Sequence, residues 1–330
     1  MRYLLYTLPA IGDLVVSLPV QKCILDNDSS AQVFWLVRPE MAPILDNVPG
    51  VSGVLRRAPD TPLEQLLMDA KPDVLLNYNY RDREIIPLAK KLGVPVRVAR
   101  PRGLKQIFSA THRIWGKRSG SGRHEAEHAL DFLRPLGFLV PAGIPPPPQL
   151  VLTSEEAEQG RADIQDTATP SCGYGFASVP SCGYGFASVP GLGVITRGSG
   201  GRAGAFPSSR WWENMLKASV TAGYNPIVLS PPDDSRLPPT SIRGLMGRLN
   251  ACDAVLGIST GPTHLAAALN APTLCLMGRR VKHGPDRWTP LGSRVGVLQY
   301  PGEEDDLGSG MDRLDVEAVL AQLDKLRINR

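Results

Sequence analysis

The stretch Gly257–Met277, GISTGPTHLAAALNAPTLCLM, constrains this chain more than any other. Just before and into it, Asp253–Ile258 (DAVLGI) has the unbroken apolar character of a strand covered on both faces, as in a parallel sheet between helices. It runs straight into Ser259-Thr260-Gly261-Pro262-Thr263-His264 and then an Ala-rich helix. Thr260 suits a helix N-cap, and Pro262 suits the first turn, where a missing N–H costs nothing. Small Ala266, Ala267 and Ala268 let the helix lie close to the sheet. Gly261 opens that helix with free backbone N–H groups and the positive end of the dipole, a seat for phosphate. On this segment alone, an ordinary strand–turn–helix crossover explains the pattern equally well.

The chain opens in the same grammar. Within Met1–Val20, Arg2–Thr7 reads as a strand, and Val15, Val16 and Leu18 begin an amphipathic helix. Gly12-Asp13 lies between them, a glycine that lets the backbone turn and a carboxylate at the helix mouth. This is how a doubly wound α/β domain begins, and such domains bind ligands at the C-terminal ends of their strands. Taken alone, Asp13 reads as a helix N-cap before it reads as a catalytic group.

Together the two segments resemble the glycosyltransferase family of bacterial lipopolysaccharide heptosyltransferases, glycosyltransferase family 9. The resemblance rests on Ile11-Gly12-Asp13 with Ser17-Leu18-Pro19, and on Thr260 to Leu269, which matches the family's Thr-Gly-Pro-x-His-Leu-Ala-Ala-Ala-Leu. Trp35-Leu36-Val37-Arg38-Pro39 and His124-Glu125-Ala126-Glu127 are lesser echoes. The resemblance implies a GT-B type α/β fold, two Rossmann-like doubly wound parallel-sheet domains with a cleft between them. It also implies a metal-independent, inverting transferase with no cofactor, moving heptose from ADP-heptose to a lipopolysaccharide-core acceptor.

Composition agrees with a soluble enzyme of two domains. At 330 residues, 42% hydrophobic and 21% charged, the chain is long enough for two cores. No apolar run approaches the roughly 20 residues of a membrane span. The N-terminal segment is broken by Gly12-Asp13 and lacks a signal-cleavage pattern, so a cytoplasmic location is expected. The five cysteines (Cys23, Cys172, Cys182, Cys252, Cys275) lack zinc-site spacing and fit a reducing compartment.

The net charge of +4 is unevenly spread. From Arg97 to Arg123 the chain carries Arg97, Arg100, Arg102, Lys105, Arg113, Lys117, Arg118 and Arg123 with no Asp or Glu, and Phe108 and Trp115 lie within the run. It reads either as a solvated loop or as a cradle for an anionic acceptor. No nucleic-acid module surrounds it. The family's first domain holds a phosphorylated, acidic glycolipid, which implies Arg100, Arg102, Lys105 and Arg113, with Gly12, as acceptor contacts. The same side chains suit peripheral contact with the anionic cytoplasmic face of an inner membrane.

Strands are expected at Arg2–Thr7, Gln32–Val37, Asp73–Asn77 and Val94–Ala99, with helices at Thr61–Ala70, Glu84–Leu92 and His124–Leu136. This first, acceptor-binding domain spans 1–150. A linker at 151–190 follows the prolines of Pro141–Pro148 and contains a helix at Ser154–Ile164. It also contains SCGYGFASVP twice, at Ser171–Pro180 and Ser181–Pro190, too few copies for a repeat fold. The nucleotide-sugar domain, 191–312, has strands at Gly193–Thr196, Pro226–Leu229, Asp253–Ile258, Thr273–Met277 and Val295–Leu298. In the family the last helix, within 313–330 here, packs back across the first domain.

The donor site departs from the family. Where a Gly-rich turn precedes Lys-x-Trp-Pro, this chain has Arg197-Gly198-Ser199-Gly200-Gly201-Arg202-Ala203-Gly204-Ala205-Phe206-Pro207, so Gly204 replaces the phosphate-binding lysine. Arg202, or Arg197, is the substitute cation, with Gly198, Ser199 and Gly200 lining the phosphates. Ser259 replaces the aspartate before Thr-Gly-Pro. Donor contacts are completed by Ser259, Thr260, Gly261, Pro262, Thr263 and His264, the last of which also reads as a core histidine. Asp13 is the candidate base. A helix N-terminus depresses its pKa, whereas burial against Pro9, Ala10 and a bound sugar raises it. Two other readings stand beside this one: a non-catalytic binder that kept the cleft, and a transferase using another nucleotide sugar.

If Arg202 carries the phosphate contact, Arg202→Ala should weaken nucleoside diphosphate binding by about 10- to 150-fold in calorimetry, the worth of one charge-assisted hydrogen bond. Unchanged affinity would put the phosphate elsewhere.

Overall fold

The computed structural model describes residues 1–7, 10–116, 118, 120–167, 189–196, 206–230, 236–278, 284–300 and 310–328. Arg197, Gly198, Ser199, Gly200, Arg202 and Gly204 lie outside the described residues, as does the duplicated decapeptide up to residue 188.

In the first lobe the order is β1 (Arg2–Tyr6), α1 (Ile11–Ser17), α2 (Pro19–Asn27), β2 (Gln32–Val37), β3 (Val51–Arg56), α3 (Leu63–Ala70), β4 (Val74–Asn77), α4 (Ile85–Lys91), β5 (Val96–Ala99), α5 (Leu104–Ser109), β6 (His112–Arg113) and α6 (Glu125–Leu130). The strands form one parallel sheet, ordered β3-β2-β1-β4-β5-β6. Central β1 and β4 are apolar on both faces because helices cover both, and Leu4, Leu5, Leu75 and Leu76 are fully buried. β3 and β6 escape the sequence reading for physical reasons. Val51–Arg56 contains Ser52 and Gly53 and is only partly buried, and β6 is two residues long.

The second lobe comprises α7 (Ser154–Thr167), β7 (Gly191–Ile195), α8 (Ser209–Thr221), β8 (Asn225–Val228), α9 (Ile242–Ala251), β9 (Ala254–Ile258), α10 (Gly261–Ala268), β10 (Thr273–Met277), α11 (Pro285–Trp288), β11 (Val295–Gln299) and α12 (Val316–Ile328). Its parallel sheet is ordered β11-β10-β9-β7-β8. Ser208 and Ser241 cap α8 and α9 through their hydroxyls.

Three expectations need correction. α7 is no linker but part of the second lobe: it crosses α9 so closely that a Cβ on Gly160 would lie 2.2 Å from the Gly247 carbonyl. α12 does not return to the first lobe. Its Val319 and Leu323 are buried against the second sheet, and Tyr224 donates a 2.5 Å hydrogen bond to Asp324. The single helix expected over His124–Leu136 is instead α6 followed by a short 3-10 turn, Arg134–Leu136, which ends at left-handed Gly137 (φ 81°).

Among the described residues, several contacts fasten the lobes. At the back of the cleft Arg243 of α9 donates to Glu156 (2.7 Å) and to the carbonyls of Val151 (2.8 Å) and Pro43 (3.4 Å), joining α9 to the chain after β2. At the front, α1 packs on α10.

The α7–α9 crossing predicts that Gly160→Ala, which forces a methyl into a backbone, destabilises the protein by about 1–3 kcal/mol in urea unfolding. An unchanged midpoint would contradict the crossing.

Candidate active site

Each sheet reverses its winding at one point, and ligands bind in α/β sheets outside the strand ends at such points. In the first lobe the reversal falls between β1 and β4, in the second between β9 and β7. α1 follows β1 and α10 follows β9, so both helix mouths open at a switch point, and their first turns meet. A Cβ on Gly12 would sit 3.3 Å from the His264 ring, and one on Gly261 only 2.8 Å from Ile11. Gly12 and Gly261 therefore serve close helix approach before any ligand.

Asp13 is not the N-cap of α1. That position is Ala10, which has no side chain to offer, and Asp13 lies in the first turn. It borders a hollow lined also by Thr7, Tyr80, Arg100, Arg118 and Glu125. No side chain among the described residues hydrogen bonds to its carboxylate. Its pKa is raised to about 6, with burial the largest cause and Glu125 adding to it, while Arg118, Arg81 and Arg287 pull the other way. Burial thus outweighs the three arginines, which leaves a carboxylate able to take a proton near neutral pH.

The charges around Asp13 are tied across the cleft. Buried Glu125 receives Arg118 from its own lobe (Nε–Oε2 3.1 Å) and Arg287 of α11 from the other. Burial alone would raise Glu125, but the two guanidiniums hold it below its ordinary value. Beside it, His124 Nδ1 accepts from the Ala126 N–H (3.1 Å), and Nε2 donates to the Thr289 carbonyl (2.8 Å) in the second lobe. With Glu127 accepting from the His124 N–H (2.8 Å), this is a capping box for α6. The His124-Glu125-Ala126-Glu127 motif thus caps a helix and joins the lobes.

On the donor side, Thr260 is the N-cap of α10 without a side-chain cap bond, and Pro262 sits in the first turn. The N–H groups of Gly261 and Thr263 therefore face the mouth without helical acceptors. Thr263 spends its hydroxyl on the Ile258 carbonyl (2.6 Å). Ser259 donates to the Trp288 carbonyl (3.4 Å). His264 is buried, its Nδ1 has no hydrogen-bond partner among the described residues, and burial with nearby His124 lowers its pKa to about 3. It can offer a hydrogen bond to an anion, but not a charge.

Of the acceptor residues expected from sequence, Arg100 lines the hollow, and Arg102 stacks on Tyr80 at 4.3 Å. Lys105 and Arg113 are exposed and do not line it, and Arg113 is turned back to the Ile107 carbonyl (2.8 Å). Arg118, Tyr80, Glu125 and Arg287 are the site residues that sequence reasoning missed. Tyr80 had a usable signal, its place just beyond the C-terminal end of β4. Among the described residues, no three His, Cys, Asp or Glu side chains converge to hold a metal ion.

Residues 229–306, which include Ser259 to His264, match the family model Glycosyltransferase family 9 (heptosyltransferase). The sequence resemblance is thereby borne out. A Haemophilus influenzae protein described as a candidate glycosyltransferase is 23% identical over 261 residues, 72% of this chain and 69% of its own length. Solved structures share the whole architecture. A glycosyl transferase family 9 protein of Veillonella parvula has a TM-score of 0.76 at 14% identity over 100% of this chain and 97% of its own. The E. coli ADP-heptose lipopolysaccharide heptosyltransferase II has a TM-score of 0.75 at 17% identity over 100% and 99%. E. coli heptosyltransferase WaaC with ADP has a TM-score of 0.67 at 16% identity over 99% and 100%. At these identities the likeness is one of fold. The fold is the GT-B type of the heptosyltransferases, two Rossmann-like lobes around a cleft.

The raised pKa of Asp13 carries a stability consequence. The native state holds this proton more tightly than the unfolded chain, whose value is near 3.8, so the added stability is whole below about pH 4 and lost as pH rises through about 6. Asp13→Asn should therefore stabilise the protein by about 1–3 kcal/mol near neutral pH and have little effect at acid pH, as read by urea unfolding. Destabilisation near neutral pH would contradict the burial argument.

Proposed function

We propose that this chain is an inverting glycosyltransferase that moves a sugar from a nucleotide donor, ADP-heptose first among candidates, to an anionic glycolipid or glycan acceptor of the lipopolysaccharide-core kind. The carrying observation is Asp13, a carboxylate tuned to about 6 in a hollow at one switch point, beside a helix mouth at the other. WaaC was solved with ADP and with ADP-2-deoxy-2-fluoro heptose, which supports an ADP-sugar as donor.

In this reading the donor diphosphate lies at the mouth of α10, on the N–H groups of Gly261 and Thr263, with Ser259, Thr260, Pro262 and His264 around it and Arg202 supplying charge from the Gly-rich loop. The acceptor sits in the first-lobe hollow, where Arg100, Arg102 and Arg118 answer its acidic groups. Its hydroxyl oxygen attacks the anomeric carbon from the face opposite the diphosphate. As the new C–O bond forms, the bond to the diphosphate breaks, the leaving oxygen keeps the electron pair, and Asp13 takes the hydroxyl proton. Donors already fixed at the helix mouth stabilise the charge developing on the leaving group.

Ser259 favours one second reading, a binder without turnover. Its hydroxyl is engaged with Trp288, and it brings no carboxylate to the donor where the family has one. The two separate in a transfer assay with ADP-heptose and a truncated lipopolysaccharide core. Asp13→Ala should lower turnover by about 10²–10⁴-fold with little change in donor affinity. Since only ionised Asp13 accepts a proton, kcat/KM of the wild type should fall as pH drops below about 6, and that limb should vanish in the variant. Turnover that survives Asp13→Ala would remove Asp13 as base, and ADP binding without turnover would favour the binder.

A further inference from the structure

Among the described residues, two carboxylates line the hollow, Asp13 and Glu125, and arginines surround them. Arg100 and Arg118 line the same hollow, and Arg81 and Arg287 are near enough to act on Asp13. A guanidinium beside a carboxylate forms charge-assisted, often paired hydrogen bonds, and it lowers an aspartate pKa by about 1–3. A hollow of this kind should turn Asp13 into one half of an ion pair. Yet no side chain among the described residues hydrogen bonds to it.

The places the arginines occupy explain the difference. Arg118 donates to Glu125 Oε2 (Nε–Oε2 3.1 Å) and lies over the Tyr80 ring at 5.0 Å. Arg287 reaches the other oxygen, Oε1, from α11 and lies over Trp288 at 5.6 Å. Both oxygens of Glu125 are therefore engaged, one by each lobe. Arg100 donates to the Gly116 carbonyl (2.5 Å), and Arg81 is exposed. α6 places Glu125 for this task. Its capping box fixes the first turn, the helix packs on α1, and the Glu125 side chain is 2% exposed.

Other titratable groups near Asp13 leave its carboxylate open. α10 brings His264 beside Gly12, and burial keeps that imidazole neutral. α6 also brings His128, whose Nε2 is engaged with Ser121 (3.0 Å). Tyr78 and Tyr80 stand just beyond β4, and on α2 Lys22 pairs with Asp26 (2.8 Å) at an exposed position.

We propose that Glu125 is a positioning residue for Asp13: by holding Arg118 and Arg287 it keeps the Asp13 carboxylate unpaired and open to an acceptor hydroxyl. Without Glu125, the carboxylate left in the hollow for Arg118 is Asp13 itself. The negative charge of Glu125 works in the same direction, raising Asp13, whereas both guanidiniums lower it. That the open carboxylate serves as a base rests on the function proposed above. Its being kept open rests on where the guanidiniums lie.

Carbon-13 titration of the Asp13 carboxyl in the full, ligand-free chain tests this without any need for sugar transfer. In Glu125→Gln the midpoint should fall by about 1 or more below that of the wild type. Combining it with Arg118→Gln should recover about half of that fall or more, and Glu125→Asp, which keeps a carboxylate, should stay within about 0.5 of the wild type. An unmoved midpoint in Glu125→Gln, a double variant as low as the single one, or Glu125→Asp as low as Glu125→Gln would overturn the proposal. A Glu125 that served folding alone would change stability and leave the midpoint in place. Because Glu125→Gln leaves two cations uncompensated, its own fold is at risk, so the wild type carries a second test. The Nε–H signal of Arg118, identified by its loss in Arg118→Gln, should come from a guanidinium that rotates slowly. A freely rotating Arg118 guanidinium would overturn the proposal whatever the variants do. A midpoint that shifts as expected in a protein without transfer would leave the role of Glu125 standing and count against the proposed function. Transfer by a protein whose Asp13 midpoint ignores Glu125 would do the reverse.

Discussion

The close approach of α1 to α10 sets everything else at the centre of this molecule. It is possible because each helix has a glycine where the other comes nearest, Gly12 beside the His264 ring and Gly261 beside Ile11. A methyl at Gly261 would overlap the Ile11 side chain, and one at Gly12 would press on the His264 ring, so either substitution would disturb the contact. The approach places two switch points, one from each sheet, side by side. Asp13 and His264 both lie buried at this junction, and burial is the largest cause of the upward shift of the first and the downward shift of the second.

Electrostatics then decides how the two lobes hold together around that contact. Glu125 is shared between Arg118 and Arg287, guanidiniums from opposite lobes, and His124 adds a hydrogen bond across the same seam. A buried carboxylate between two cations is well compensated, whereas removing one partner would leave charge buried without an answer. At the back of the cleft Arg243 joins Glu156 to the carbonyls of Val151 and Pro43. Asp13, by contrast, has charged neighbours but no hydrogen-bond partner among the described residues. It is therefore the group whose protonation the environment can tune.

Much of the fold was legible because parallel-sheet strands are apolar on both faces. β2 and β10 have the bounds expected from sequence, and β1, β4 and β9 differ by a residue at one end. Edges and close crossings were not legible. Two-residue β6 has no period to read, and the α7–α9 crossing depends on Gly160 and Gly247, glycines far apart in sequence. At the site, the local pattern around Asp13 reads first as a helix cap, and its candidacy as base came from the family resemblance of Ile11-Gly12-Asp13. Arg118 was hidden among the eight cations of its run, and Arg287 has meaning only through Glu125, 162 positions away. Lys105 and Arg113 looked equivalent to Arg100 in sequence. Which cations turn inward depends on where α5 and β6 lie against the sheet.

The account turns on Asp13 being a carboxylate that burial at the lobe junction has made into a base. Carbon-13 NMR titration of its side-chain carboxyl, in protein labelled at aspartate and assigned by comparison with Asp13→Asn, measures this directly. The account predicts a midpoint near 6. A midpoint near the ordinary aspartate value of about 4 would contradict it, because the carboxylate would then be solvated and too weak a base for the role assigned to it.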